Sequence, residues 1–308
     1  MMRLLRFSFY IAIAAIPMTL PAPVSLPSHL IRLHASDGAQ IAVSLHGGHL
    51  CSWRSADGIE RLFLSRRSAW QDGVAIRGGM PVIFPQFANQ GPMTKHGFAR
   101  DLPWTLLASE VDATGAGVMR LGLTDSAQTS ALAGQFSLEL VLRFSGSQLI
   151  STLQVTNTGT TGFSFTAALH TYLQTPVAST RIGGLHGHRY RDSIDQARSK
   201  IEMQAALQIT QEIDRIYTQV TAPVTLTSDT GRLDIGQTGF EDVVVWNPWI
   251  DKAASLSDMQ PSEYQEFVCI EAALIEQPCT LAPGQTWQGQ QTLLASTTPF
   301  TPVQETTP

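Results

Sequence analysis

FSFTAALHTYLQ, residues 163–174, is the stretch that decides the fold. Phe163, Phe165, Ala167, Leu169 and Leu173 fall on one face of an extended chain; Ser164, Thr166, Ala168, His170, Tyr172 and Gln174 fall on the other. A period of two is the signature of a β-strand. The second face is too polar for a core and has no charge run, so it suits the wall of a wet cleft. Working outward, Leu138, Leu140, Leu142 and Phe144 alternate with Glu139, Val141 and Arg143, predicting a half-buried strand. Leu149 to Thr156 reads as the next strand, closed by a turn at Asn157-Thr158-Gly159. Val224–Leu226, Asp242–Trp246 and Glu266–Ala272 are further strand candidates. Helix signals are few; Ile201 to Ile209 is predicted to make a turn or two. Phosphate-cradling glycine motifs and long helices alternating with strands are both missing, which excludes a doubly wound α/β fold. The prediction is all-β: one antiparallel β-sandwich domain over residues 30–296, with an extension at 1–29 and a disordered Thr- and Pro-rich tail at 297–308.

Among the 308 residues, 43% are hydrophobic and 15% charged, enough apolar material for a large core. The formal charge of −5 argues against nucleic acid or an anionic membrane as partner. It also means that an anionic substrate must be held by a few local cations. Three cysteines, Cys51, Cys269 and Cys279, are an odd number without paired spacing and fit a reducing compartment. Arg3 and Arg6 precede an apolar run from Phe7 to Leu20, which reads either as an export signal or as sequence upstream of a true start at Met18. The run is too short to span a bilayer, contains Pro17 and lacks a small-x-small cleavage site, so the second reading is preferred. It places the protein in the cytoplasm; the first would place it in the periplasm.

Several clusters have the composition of a site. Arg77 stands against Gly78, Gly79 and Pro81, on a bent backbone where it is either a surface corner or a ligand-binding group. His96 and Arg100 lie four apart, separated by small residues and Phe98, and can enter one pocket from a loop. His170 shares its strand face with Thr166, Tyr172 and Gln174. Glu271 sits inside the apolar run Phe267–Ala273, where a carboxylate is either paired with an arginine or functional. Burial would raise its pKa toward that of a useful general base. Glu212-Ile213-Asp214-Arg215 is a charged patch beside Tyr217. His186 and His188 lack partners at ligand spacing, so no metal site is expected. A Gly-x-Ser-x-Gly nucleophile elbow is also missing.

The order and wording of these blocks carry more than any one of them. IRGGMPVIFPQF (76–87), KHGFARDLPW (95–104), ALHTYLQ (168–174), EIDRIY (212–217), VVVWNPW (243–249) and FVCIEAA (267–273) together resemble the glucose-6-phosphate 1-epimerase branch of the aldose 1-epimerase family. The resemblance spans roughly residues 30–295 and implies a galactose mutarotase-like antiparallel β-supersandwich. It implies His170 as general acid and Glu271 as general base, placed on opposite sides of the hemiacetal and facing each other across one cleft. It further implies that His96 supports the sugar ring, that Asp214 binds sugar hydroxyls, that Gln86 lines the substrate, and that Arg77 and Arg100 hold the phosphate. The glycines at 78, 79 and 97 then leave room for that phosphate. The implied partner is a phosphorylated aldose, taken by a monomer without any cofactor, because the reaction involves no redox change and no leaving group. Two alternatives are an aldose 1-epimerase acting on free sugars and a non-catalytic sugar-binding module.

Overall fold

A computed structural model describes residues 24–296 apart from residue 133. The expectations for the tail, and for all of the extension before residue 24, lie outside the described residues. The alternation resolves into two large antiparallel sheets and a smaller one. The nine-stranded sheet runs, in spatial order, Ala206–Leu207, Arg181–Gly183, Val224–Ser228, Gly231–Thr238, Thr286–Ser296, Gln148–Asn157, Phe136–Ser145, Gly117–Thr124 and Thr105–Val111. Phe136–Ser145 alternates buried and half-buried residues without a break. Phe136, Leu138, Leu140, Leu142 and Phe144 enter the main core. The opposite face is polar and paired across strands: Gln154 donates to Gln288 at 2.9 Å, and the Thr156 and Thr286 hydroxyls meet at 2.9 Å. This sheet is dry on one side and wet on the other, as antiparallel sheets often are.

The second sheet is dry on both sides through its centre. Its order is Arg198–Ile201, Arg189–Asp192, Ile213–Tyr217, Asp242–Asn247, Phe267–Leu281, Phe163–Leu169 and Val82–Ile83, with Tyr172–Gln174 also paired to Phe267–Leu281. Residues 267–275 are buried without exception. Val268, Ile270, Ala272 and Leu274 enter the main core against the nine-stranded sheet. Phe267, Cys269, Ala273 and Ile275 pack in smaller clusters on the outer face. Glu271 belongs to that outer set by parity and is the one charged side chain within the run.

One expectation about secondary structure needs correcting. Ile201–Ile209 is not helical. It contributes to the strands Arg198–Ile201 and Ala206–Leu207, because pairing with Arg189–Asp192 holds the chain extended and Glu202 is tied to Arg215 at 2.6 Å and to the Tyr217 hydroxyl at 2.8 Å. The α-helix among the described residues is Trp249–Ser255. It starts where Asn247 accepts from the Trp249 N–H at 2.9 Å while its amide donates to the Tyr264 and Phe267 carbonyls, each at 2.8 Å. No described helix is long and apolar enough to cross a membrane.

The small sheet of Ile31–His34, Gln40–Ser44 and His49–Arg54 supports the bend at Gly78-Gly79. His49 Nε2 donates to the Gly78 carbonyl at 2.9 Å. Gly78 and Gly79 have φ of +104° and +61°, and a Cβ on Gly78 would lie 2.5 Å from the Phe63 carbonyl oxygen. A Cβ on Gly79 would strike the Leu50 carbonyl, and one on Gly97 the Phe84 carbonyl. These glycines are therefore required by close passage over the scaffold.

Burial lowers the His49 pKa to about 3, only partly offset by the bond to Gly78. A depressed histidine pKa means that the unfolded chain takes up a proton that the folded chain refuses. Its stabilising contribution is complete above the unfolded value of about 6.5 and is lost as pH falls below it. Between pH 6.5 and pH 5 the loss from His49 should be about 2 kcal/mol. Urea unfolding at those two pH values should show His49→Asn losing correspondingly less than the parent; parallel losses would mean that another group governs acid lability.

Candidate active site

The site begins with a break in one ladder. Tyr172 pairs with Cys269 and Leu169 with Ala272, two segments in the same register, which puts His170 opposite Glu271. The expected continuous strand is therefore two strands, Phe163–Leu169 and Tyr172–Gln174, separated at His170 and Thr171. Between them His170 turns its N–H to the Pro81 carbonyl at 3.0 Å. Ile270 N–H still donates to the Thr171 carbonyl at 3.1 Å. The Ile270 carbonyl accepts from Gln291 Nε2 at 3.0 Å, and Gln291 Oε1 accepts from the Thr171 hydroxyl at 2.5 Å. Gln291, reaching from the nine-stranded sheet, thus satisfies two buried groups at the break.

His170 Nδ1 lies 3.2 Å from Glu271 Oε1. Neither His170 Nδ1 nor Glu271 Oε2 has a hydrogen-bond partner among the described residues, and the residues are 8% and 1% exposed. The expected facing arrangement is corrected: the two groups stand side by side on the cleft floor, too close to admit a ligand between them. The His170 ring stacks on Tyr172 at 4.9 Å and 9°, with the edges of His96 at 5.6 Å and Trp246 at 6.0 Å around it. Burial holds the His170 imidazole well below its ordinary pKa, and the charges of Arg100 and Arg77 add to this. Burial likewise pushes the Glu271 carboxyl well up, helped by Asp214 and opposed by Lys95. Both shifts act against charge, toward imidazole and carboxylic acid. The charged alternative, imidazolium beside carboxylate, differs by one proton shift between neighbours.

The cleft above this pair has a volume of about 410 Å³, within the roughly 300–1,000 Å³ usual for small-molecule sites. His96 lines it, and its Nδ1 accepts from the Ala88 N–H at 3.2 Å, which leaves the proton on Nε2. Asp214 and Trp246, paired across neighbouring strands, form another wall. Arg77, Arg100 and Lys95 all line the cleft. Arg77 is also a brace: Nη2 lies 3.0 Å from Asp258, Nε donates to the same carboxylate at 3.1 Å, and Nη1 donates to the Tyr172 hydroxyl at 3.0 Å. Arg100 is less committed. It donates from Nη2 to the Lys95 carbonyl at 3.0 Å, and its buried Nε lies 3.8 Å from Asp101 Oδ1, an ion pair too long for a hydrogen bond.

Of the residues singled out in the sequence, His96, His170, Arg77, Arg100, Asp214 and Glu271 share this cleft. Gln86 does not line it. Its amide is consumed by its own loop, donating to the Ala88 and Met93 carbonyls at 3.0 and 3.2 Å and accepting from the Met93 N–H at 2.9 Å. Asp258 and Gln291 had no signal in the sequence, since each gains its position through a distant element. The Asp258 carboxylate that braces Arg77 is one that spacing could not pair with it.

Comparison with known proteins agrees with the geometry. The family model described as aldose 1-epimerase matches residues 29–294. A protein of Cenchrus ciliaris provisionally named glucose-6-phosphate 1-epimerase is 31% identical over 293 residues, covering 90% of this chain and 89% of its own length. One of Escherichia coli K12 with the same provisional name is 33% identical over 244 residues, covering 77% and 81%. A crystal structure from Salmonella typhimurium, provisionally described as a mutarotase (YeaD), superposes with a TM-score of 0.79 at 26% identity over 91% of this chain and 97% of that one.

The break in the ladder makes Gln291 a test of this construction. Gln291→Leu keeps the bulk but leaves the Ile270 carbonyl and the Thr171 hydroxyl unpaired in the core. It should lower the unfolding free energy by about 1–3 kcal/mol per stranded group. An unchanged urea midpoint would show that Gln291 does not hold the break.

Proposed function

The chain belongs to the aldose 1-epimerase family, and we propose that it interconverts the α and β anomers of a hexose 6-phosphate, glucose 6-phosphate being the sugar in its relatives' names. The observation that carries the phosphate is the crowding of Arg77, Arg100 and Lys95 along one cleft of a chain whose net charge is −5. Burial lowers the Lys95 pKa, and the charges of Arg100 and Arg77 lower it further. Three cations that destabilise one another are relieved by a dianion. The Arg100 guanidinium, planar and forked, is suited to phosphate oxygens.

The side-by-side acid and base fit this reaction. The anomeric hydroxyl and the ring oxygen are bonded to the same carbon, so a sugar lying over the pair presents both to neighbouring groups. Glu271 as carboxylate removes the O1 proton while His170 as imidazolium protonates the ring oxygen. The C1–O5 bond breaks and an aldehyde forms. Rotation about C1–C2 exposes its other face, and the same transfers in reverse close the ring. His96 donates from Nε2 to a sugar hydroxyl, and Asp214 accepts from others. The phosphate also acts on the chemistry: by offsetting Arg77 and Arg100 it removes part of what keeps His170 neutral, and so favours imidazolium beside carboxylate. Nothing in these steps calls for a cofactor. The same reading has the protein work as a monomer in the cytoplasm, where hexose phosphates are found, without nucleic acid or membrane partners.

Anomer exchange followed by NMR tests each part. His170→Asn and Glu271→Gln should each lose about 100-fold or more in rate with the fold retained. Near-normal turnover by either would remove it from the acid–base pair. Arg100→Ala should lower kcat/KM on glucose 6-phosphate by about ten- to a hundredfold and leave turnover of free glucose almost unchanged. Arg77→Ala should reduce both, because it also releases Asp258 and Tyr172. Equal losses on the two sugars for Arg100→Ala would refute phosphate binding there and favour a free-sugar epimerase.

A further inference from the structure

Cys269 takes no part in the chemistry above, yet it is not elsewhere. It lies two residues from Glu271 on the same face of the same strand, and His170 stands opposite Glu271. A ring nitrogen of His170, Cys269 Sγ and a Glu271 carboxylate oxygen all fall within 4.8 Å of one another. His170 Nδ1 and Glu271 Oε2 are buried without hydrogen-bond partners, so both have unused lone pairs. We propose that Cys269, His170 and Glu271 form a site for a thiophilic divalent cation of the zinc or cadmium type, and that filling it blocks the cleft.

The geometry is close to what such an ion requires. Bonds of about 2.0 Å to nitrogen and oxygen and about 2.3 Å to sulfur, at tetrahedral angles, separate the donors by roughly 3.3–3.6 Å. The His170–Glu271 separation is already 3.2 Å, and the sulfur distances close with a shift of the order of 1 Å. Three protein donors leave a fourth position open toward the cleft, the pattern of an accessible rather than a structural zinc site. A thiolate and a carboxylate together balance a 2+ ion, so the filled site is neutral and tolerates burial; the thiol and carboxyl protons leave to solvent. Arg77, Arg100 and Lys95 oppose any cation here and Asp214 favours one. The sulfur donor therefore decides selectivity: hard ions such as magnesium, which need several oxygen ligands, gain too little to enter. His186 and His188, the pair considered from the sequence, are not involved.

Binding and its consequence are tested separately on the full chain. Cobalt(II) should give a near-ultraviolet thiolate-to-metal band that zinc abolishes. Cys269→Ser should lose that band, and Cys279→Ser should keep it. In the anomer-exchange assay, zinc or cadmium should inhibit in a way that a chelator reverses and magnesium does not reproduce. Cys269→Ser should keep its activity but need at least about tenfold more zinc for the same inhibition. No thiolate band in the parent, or equal zinc sensitivity in Cys269→Ser, overturns the proposal. The inhibition arm rests on the epimerase reading and the cobalt band does not, so a band without measurable anomer exchange would sink the proposed function and leave the metal site standing.

Discussion

The structure depends on a two-residue interruption in an otherwise regular ladder. A β-strand paired on both sides has no polar group to offer a ligand, because its N–H and C=O groups are used and its side chains on a dry face are apolar. At His170 and Thr171 the ladder opens while the register on either side is maintained. A histidine and a glutamate are thereby fixed as opposed neighbours on a rigid sheet. The backbone groups freed by the opening are not left bare: Pro81 takes the His170 N–H, and Gln291 reaches through the core to take the Ile270 carbonyl. The pair proposed as acid and base is thus positioned by main-chain geometry and by a side chain, Gln291, that does not line the cleft.

Placing the two groups side by side also decides how their protons are distributed. Burial penalises both charges, raising the carboxyl and lowering the imidazole. The surrounding arginines act in the same direction on the histidine. A pair that can pass a proton between neighbours can run a reversible reaction in either sense, because the group that donates in ring opening accepts in ring closure. A ligand that changes the local field, as a phosphate dianion would, shifts that balance without moving an atom of the pair.

Much of this was legible in the sequence wherever the physics is local. Parity alone put Phe165, Ala167 and Leu169 inward, and it placed His170 with Tyr172 on the other face. Glu271 stood out because a carboxylate in a dry strand needs a reason. What could not be read was register, since nothing local says which residue of one strand meets which residue of another. The side-by-side pairing was therefore expected as a facing one. The glycines at 78, 79 and 97 were legible as necessary, but the reason lies in the carbonyls of Phe63, Leu50 and Phe84 passing beneath them. Gln86 looked like a lining residue because its block is part of the cleft, yet its polar atoms are needed by its own loop. The segment 201–209 carried a weak helical pattern that strand pairing at the sheet edge overrode.

Arg77 shows why fold and specificity are not separable here. Its partner Asp258 sits on a loop that is itself tied down by the buried carboxylate of Glu263. That carboxylate accepts from the Ser65 hydroxyl at 2.6 Å and from the Arg66 N–H at 2.8 Å, while the Ser65 hydroxyl also lies 2.8 Å from the Asp258 carbonyl. The segment 65–77 returns through the Ser65 N–H donating to the Arg77 carbonyl at 3.0 Å. The guanidinium is thus held on both sides by one closed set of bonds. A preorganised cation loses little freedom when an anion arrives, and it presents its charge at a fixed place. The same bonds leave Arg77 fewer free donors than Arg100. In the proposed reaction the two arginines would therefore divide the work: Arg77 as a fixed positive charge bonded to Tyr172, Arg100 as the less heavily braced donor.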